Sequence, residues 1–151
     1  MRIHLKPAVS ALTAALLGLG VMASSAWAAG TIEAATADGA TYTIPSEWVV
    51  GETLPVSGAG WTDIAGTAGS VIAIVYDFGS VPSNDPVDDE IWLRITANPD
   101  GSWSADLPFP ADAGWTAGET HKVHLLTGSL GQNDTARGAA IDVELVEAAN
   151  N

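Results

Sequence analysis

Residues 51–61 read Gly-Glu-Thr-Leu-Pro-Val-Ser-Gly-Ala-Gly-Trp. A turn at Gly51-Glu52 opens a short alternating strand with Leu54 and Val56 on one face, and Gly58-Ala59-Gly60 lets the chain bend into Trp61. The pattern recurs along the chain. Ile91, Leu93 and Ile95 point one way while Trp92, Arg94 and Thr96 point the other. Pro99-Asp100-Gly101 supplies turn chemistry, and Trp103, Ala105 and Leu107 form the inward set of the next strand. Val123 and Leu125 face inward on 121–127, with Lys122, His124 and Leu126 outward, and Ile141, Val143 and Leu145 close the series. Val71–Tyr76 is apolar in both phases, as a central strand would be. Short strands divided by turns, with no helical period after residue 30, predict an all-β, antiparallel sandwich of about seven strands with Greek-key connections.

The first residues are set apart from this. Arg2, His4 and Lys6 precede an apolar run from Ala8 to Met22, and Ala26-Trp27-Ala28 offers the small residues of a cleavage site. Residues 1–28 are expected to be a cleaved secretory signal, leaving the protein secreted or loosely associated with the cell envelope, with no inserted segment. Residues 29–40 read as a flexible leader or a loose first strand at 31–36, 41–146 as the sandwich, and 147–151 as a frayed tail.

Arg2 and Lys6 leave with the signal, so three basic residues face eighteen acidic ones, a net charge of −15. Such a field disfavours nucleic acid and anionic membrane surfaces. There is no cysteine, so the domain must rely on packing alone, which suits a bacterial exported protein. A chain of this size buries roughly two-thirds of its unfolded surface, enough for a core. Pro45 and Pro55 place their strands at sheet edges, guarded against pairing, and a monomer is expected.

The stretches 51–61, Asn-Pro-Asp-Gly-Ser-Trp-Ser-Ala-Asp-Leu-Pro-Phe-Pro at 98–110 and Thr-Ala-Gly-Glu-Thr-His-Lys-Val-His-Leu-Leu at 116–126 together resemble the bacterial immunoglobulin-like module of Gram-positive, especially actinobacterial, surface and secreted proteins. The resemblance covers 51–146. It implies a spacer, adhesin or accessory role and no shared catalytic site. The sequence has no Leu-Pro-x-Thr-Gly sorting motif, so covalent wall attachment is not expected. A fainter similarity links the Val-x-Gly-Ala-Gly strand to neocarzinostatin-type apoproteins, which carry disulfides that this chain lacks.

The chemistry-bearing residues suggest binding rather than catalysis. No Gly-x-Ser-x-Gly elbow or cysteine nucleophile is present. His121 and His124, three apart on a strand, face opposite sides and cannot share a metal. Asp85, Asp88, Asp89 and Glu90 read as a solvated acidic loop with calcium as the rival reading, since their spacing is not that of an EF-hand. No cofactor is expected. Trp92 opposes the phase of its apolar neighbours and shares the outward phase with Arg94, Lys122 and His124. These four form the candidate binding patch, weighed against simple packing of Trp92 on the Arg94 and Lys122 stems. The resulting expectation is a non-catalytic module engaging an extracellular protein or a cell-envelope glycan. A small-ligand carrier using a loop cleft is the alternative, and an acidic-site hydrolase follows.

Overall fold

The computed structural model describes residues 30–77 and 92–150. The expected signal segment and the acidic cluster Asp85, Asp88, Asp89 and Glu90 lie outside the described residues, as does Ile91. Among the described residues the strands are β1 Thr31–Ala35, β2 Thr41–Pro45, β3 Glu47–Val49, β4 Leu54–Ala59, β5 Val71–Tyr76, β6 Leu93–Thr96, β7 Trp103–Leu107, β8 Thr120–Thr127 and β9 Arg137–Val146. A 3-10 turn at Ala111–Ala113 interrupts them. One sheet has the order β1-β2-β4-β7 and the other β3-β9-β8-β5-β6, so the predicted all-β sandwich is the observed architecture.

Alternation dictates the core. Ile141, Val143 and Leu145 on β9, Val123 and Leu125 on β8, and Ile72 and Ile74 on β5 face Leu54, Val56, Trp103 and Leu107 of the opposing sheet. The strand that read as apolar in both phases behaves so. Ala73 and Val75 turn to the other face and form a small second cluster with Leu126 and the half-buried Leu130.

Residues 31–35, within the segment read as a flexible leader or a loose first strand, form β1, paired with β2 from Thr31 opposite Pro45 to Ala35 opposite Thr41. Two features depart from expectation. Strand β3, not anticipated, runs parallel to β9, with Trp48 opposite Leu145. Pro45 and Pro55 do not mark edge strands, because β2 and β4 are both interior. Pro45 is instead the last residue before the chain crosses at Ser46 to the other sheet. Pro55 is tolerated because β2 pairs with β4 only at Ser57–Ala59, leaving one flank of Pro55 open. The edges are β1, β7, β3 and β6, so the monomer expectation loses that basis.

The Gly-x-Gly bend proves to be a close approach. Trp61 N–H donates to Gly101 O at 3.0 Å, and a Cβ on Gly101, which sits at φ 85°, would lie 2.6 Å from that nitrogen. Gly58 faces the Trp103 indole, where a Cβ would fall 2.4 Å from Nε1. These contacts explain why glycines precede and face the tryptophans.

The loops at this end of the sandwich are tied by one buried cation. The Arg137 side chain is 4% exposed; its Nε donates to Asp38 at 2.8 Å, its Nη1 to Ser70 Oγ at 2.8 Å and its Nη2 to Thr62 O at 3.0 Å. Ser70 Oγ donates in turn to Asp134 at 2.6 Å, whose other oxygen accepts Val71 N–H at 2.9 Å. The guanidinium also lies 5.7 Å from the Trp61 ring. Burial pushes the Asp38 carboxyl up, but the Thr36 hydroxyl and Arg137 outweigh this and hold it below its ordinary value. The β1–β2 and β4–β5 connections thus meet on the Arg137 side chain at the start of β9, and Asp134 of the β8–β9 connection joins them through Ser70. A planar fork with several donors can serve so many acceptors; an ammonium cannot.

Candidate functional site

At the opposite end the inward rows run out in aromatic rings. Trp48, fully buried, meets Tyr76 at 5.5 Å, Phe109 at 5.5 Å and Trp115 at 6.0 Å, each roughly edge to face. Its Nε1–H donates to Glu52 O at 2.8 Å. Tyr76 extends the inward row of Ile72 and Ile74, and its hydroxyl donates to Pro108 O at 3.1 Å. Burial pushes the Tyr76 phenol far above its ordinary pKa, so it stays a neutral donor. Its ring touches Trp115 at 5.5 Å and Trp92 at 5.3 Å, the latter tilted by 39°. Trp115 lies parallel to the His121 ring at 3.8 Å. The four rings form a continuous row, Trp92–Tyr76–Trp115–His121, whose outer member is 46% exposed.

The His121 end of the row is clamped by carboxylates. Nδ1 faces Asp77 Oδ2 at 2.6 Å and Nε2 faces Glu119 Oε2 at 3.0 Å. A neutral imidazole carries one N–H, so satisfying both contacts requires the imidazolium. Burial pushes His121 down, but the hydrogen bonds and charges of Glu119 and Asp77 prevail and raise it above 6.5. The Thr116 main-chain N–H and then His121 hold Glu119 below 4.5. Asp77 Oδ1 also accepts Lys122 N–H at 2.9 Å, and Glu119 accepts Thr116 N–H at 2.9 Å. Both carboxylates are therefore oriented by main chain, and about half of each side chain remains open to solvent, 46% and 45%.

The sign of the pH dependence follows. A raised folded pKa makes His121 stabilising below 6.5, and this is lost as pH rises through the folded value. A lowered one makes Glu119 stabilising above 4.5, lost as pH falls. The clamp is complete between these two values. The stability difference between the wild type and His121→Gln, followed by chemical denaturation, is expected to be greatest there and to shrink above it. A His121 ring titration by NMR with a midpoint below 6.5 would contradict the clamp.

The predicted patch is only partly assembled. Arg94 on β6 lies opposite Ala73, and His124 on β8 opposite Val75, so both are on the outer face of the five-stranded sheet as expected. Lys122 is there too, bonded to Asp142 at 2.7 Å. Trp92 departs from them. It sits in a bend ahead of β6, its N–H bonded to Ile74 O, and its ring lies on Tyr76, a residue of the inward row. The alternation that placed it outward with Arg94 does not continue past the strand's first residue. The His124 imidazole adds little positive charge, since burial and then Lys122 push its pKa below the ordinary value. His121 and His124 do lie apart. Both nitrogens of His121 are occupied by carboxylates, and among the described residues no group of three or more His, Asp or Glu side chains is arranged to hold a metal ion.

The residues that sequence reasoning missed are Tyr76, Asp77, Trp115, Glu119 and His121. One signal was present: His121 shares the inward phase of Val123 and Leu125, so an imidazole was due at the rim of the core. No family model, curated protein or solved structure matches the chain.

Proposed function

We propose that the chain is a non-catalytic, secreted binding module that engages an extracellular or cell-envelope partner through the aromatic end of its sandwich. The observation that carries this reading is the exposed Trp92, backed by Tyr76 and Trp115 in a fixed row whose far end, at His121, carries the half-exposed Asp77 and Glu119. Tryptophan held rigid over other rings is the kind of side chain that anchors partners. The engagement of both carboxylates with His121 and main-chain N–H groups supports a positioning role over acid–base chemistry. The strand pairing supports an immunoglobulin-like arrangement. Strands β4 and β7 adjoin in one sheet and β5, β8 and β9 in the other, as strands B and E and strands C, F and G do in that fold. The carrier alternative would need a cleft. The concavity of about 450 Å³ on the outer face of the four-stranded sheet, lined by Thr43, Pro55, Ser57, Ser104 and Asp106 among others, is open rather than enclosed.

The test is binding of the purified protein to envelopes and secreted proteins of the producing organism. Saturable binding is expected, weakened about tenfold or more by Trp92→Ala. The variant's stability should change by no more than about 1 kcal/mol, as for an exposed position. Binding that Trp92→Ala leaves intact would remove the aromatic end from the account.

A further inference from the structure

The aromatic end also restricts what the partner can be. We propose that the Trp92–Tyr76 ledge is a subsite for a pyranose ring of a neutral glycan, with Asp77 and Glu119 at the far, His121 end of the same ring row. This rests on the binding-module reading above and names its ligand.

Area comes first. Among the described residues the exposed large hydrophobic side chains are Trp92 and Ile64, and Ile64 lies in the β4–β5 connection at the Arg137 end. The open part of one indole is on the order of 100 Å². A stable protein interface needs about 800 Å² per partner with several buried anchors. One indole face is too small for that and comparable to one face of a six-membered sugar ring, whose axial C–H groups gain dispersion contacts on a flat π surface.

Charge narrows the class. The Asp77 and Glu119 carboxylates at the His121 end of the row are acceptors only, so they suit further O–H-rich units of the same glycan. With a formal net charge of −13, the chain repels uronates and phosphate-bearing polymers. A cationic ligand gains little, because the cation that Asp77 and Glu119 would recruit is already in place as the His121 imidazolium. Preorganisation completes the case. Tyr76 props Trp92 and is itself fixed to Pro108 O, while the carboxylates are held by Lys122 and Thr116 N–H. Little side-chain freedom remains to be lost on binding.

The experiment uses the producing organism's envelopes in three forms: untreated, protease-digested, and oxidised with periodate, which cleaves the carbon–carbon bond between neighbouring hydroxyls. Glycans released from them are separated by anion exchange into unretained and retained fractions and used as competitors. Binding is expected to survive protease, to disappear after periodate, and to be competed by the unretained, neutral fraction. Trp92→Ala should weaken it about tenfold or more, Trp92→Tyr should preserve much of it, and Ile64→Ala should leave it unchanged. Trp92-dependent binding that protease destroys and periodate spares would overturn the glycan assignment and leave the module reading standing. Competition by the retained, anionic fraction alone would overturn the neutral assignment. Absence of binding to untreated envelopes would overturn the module reading itself.

Discussion

Replacing Arg137 by Met is expected to destabilise the protein by about 3 kcal/mol or more, the scale of leaving the partners of a buried charge unmatched. For a domain of this size that lowers Tm by on the order of 10 °C. The aliphatic stem is largely retained, so the loss reports on the guanidinium. Without it Ser70 Oγ and the Thr62 carbonyl lose a donor in buried surroundings, and Asp38 loses its counter-charge. Arg137→Lys should recover only part, since one ammonium cannot reproduce the fork's bonds to acceptors on two connections. Denaturant unfolding of the two variants beside the wild type measures it. A shift below about 1 kcal/mol, the range of ordinary surface changes, would show that the network is incidental.

Trp48→Ala should cost as much or more, about 3–5 kcal/mol for truncating a fully buried indole. Its effect would differ in kind. Trp48 is the common neighbour of Tyr76, Phe109 and Trp115, so the cavity opens beneath the row that presents Trp92. The variant is expected to lose partner binding without any change to Trp92 itself. It should also lose the pH-dependent stability of the His121 clamp, because Trp115 no longer fixes the imidazole. Arg137→Met should disturb neither, since its network lies at the other end. Unfolding curves at two pH values separate the two variants. Equal loss of the pH dependence in both would contradict the division of the sandwich into two independently held ends.

The two ends differ in how far the sequence announces them. Alternation at 103–107 and 141–145 and the apolar runs at 71–76 and 123–126 are local signals, and they place the core strands and their inward faces correctly. Strand β1 is legible in the sequence only as a loose strand beside the flexible-leader reading, because its alanines and threonines pack only when β2 lies beside them. Strand β3 is three residues long and pairs in parallel with the far end of the chain, a contact without local signature. The Arg137 network joins residues as much as 99 positions apart, and an isolated arginine in a polar loop gives no hint of burial. The candidate site failed in an instructive way. Trp92 was recognised as the exceptional aromatic, but period-two reasoning assigned it the wrong neighbours because it precedes the strand in a bend. Its true companions come from the end of β5, the β7–β8 connection and the start of β8, which only the closed sandwich brings together.

The most direct test of binding through the aromatic end is an NMR titration following the indole N–H resonances while envelope-derived ligand is added. Trp92, Trp115 and Trp48 lie at the aromatic end, whereas Trp61 and Trp103 meet each other at 5.6 Å at the Arg137 end. The indoles therefore report on both ends in one spectrum. The account predicts that Trp92 shifts most, Trp115 less, and Trp61 and Trp103 hardly at all. Saturable shifts centred on Trp61 and Trp103, with Trp92 unmoved, would place recognition at the opposite end and contradict it.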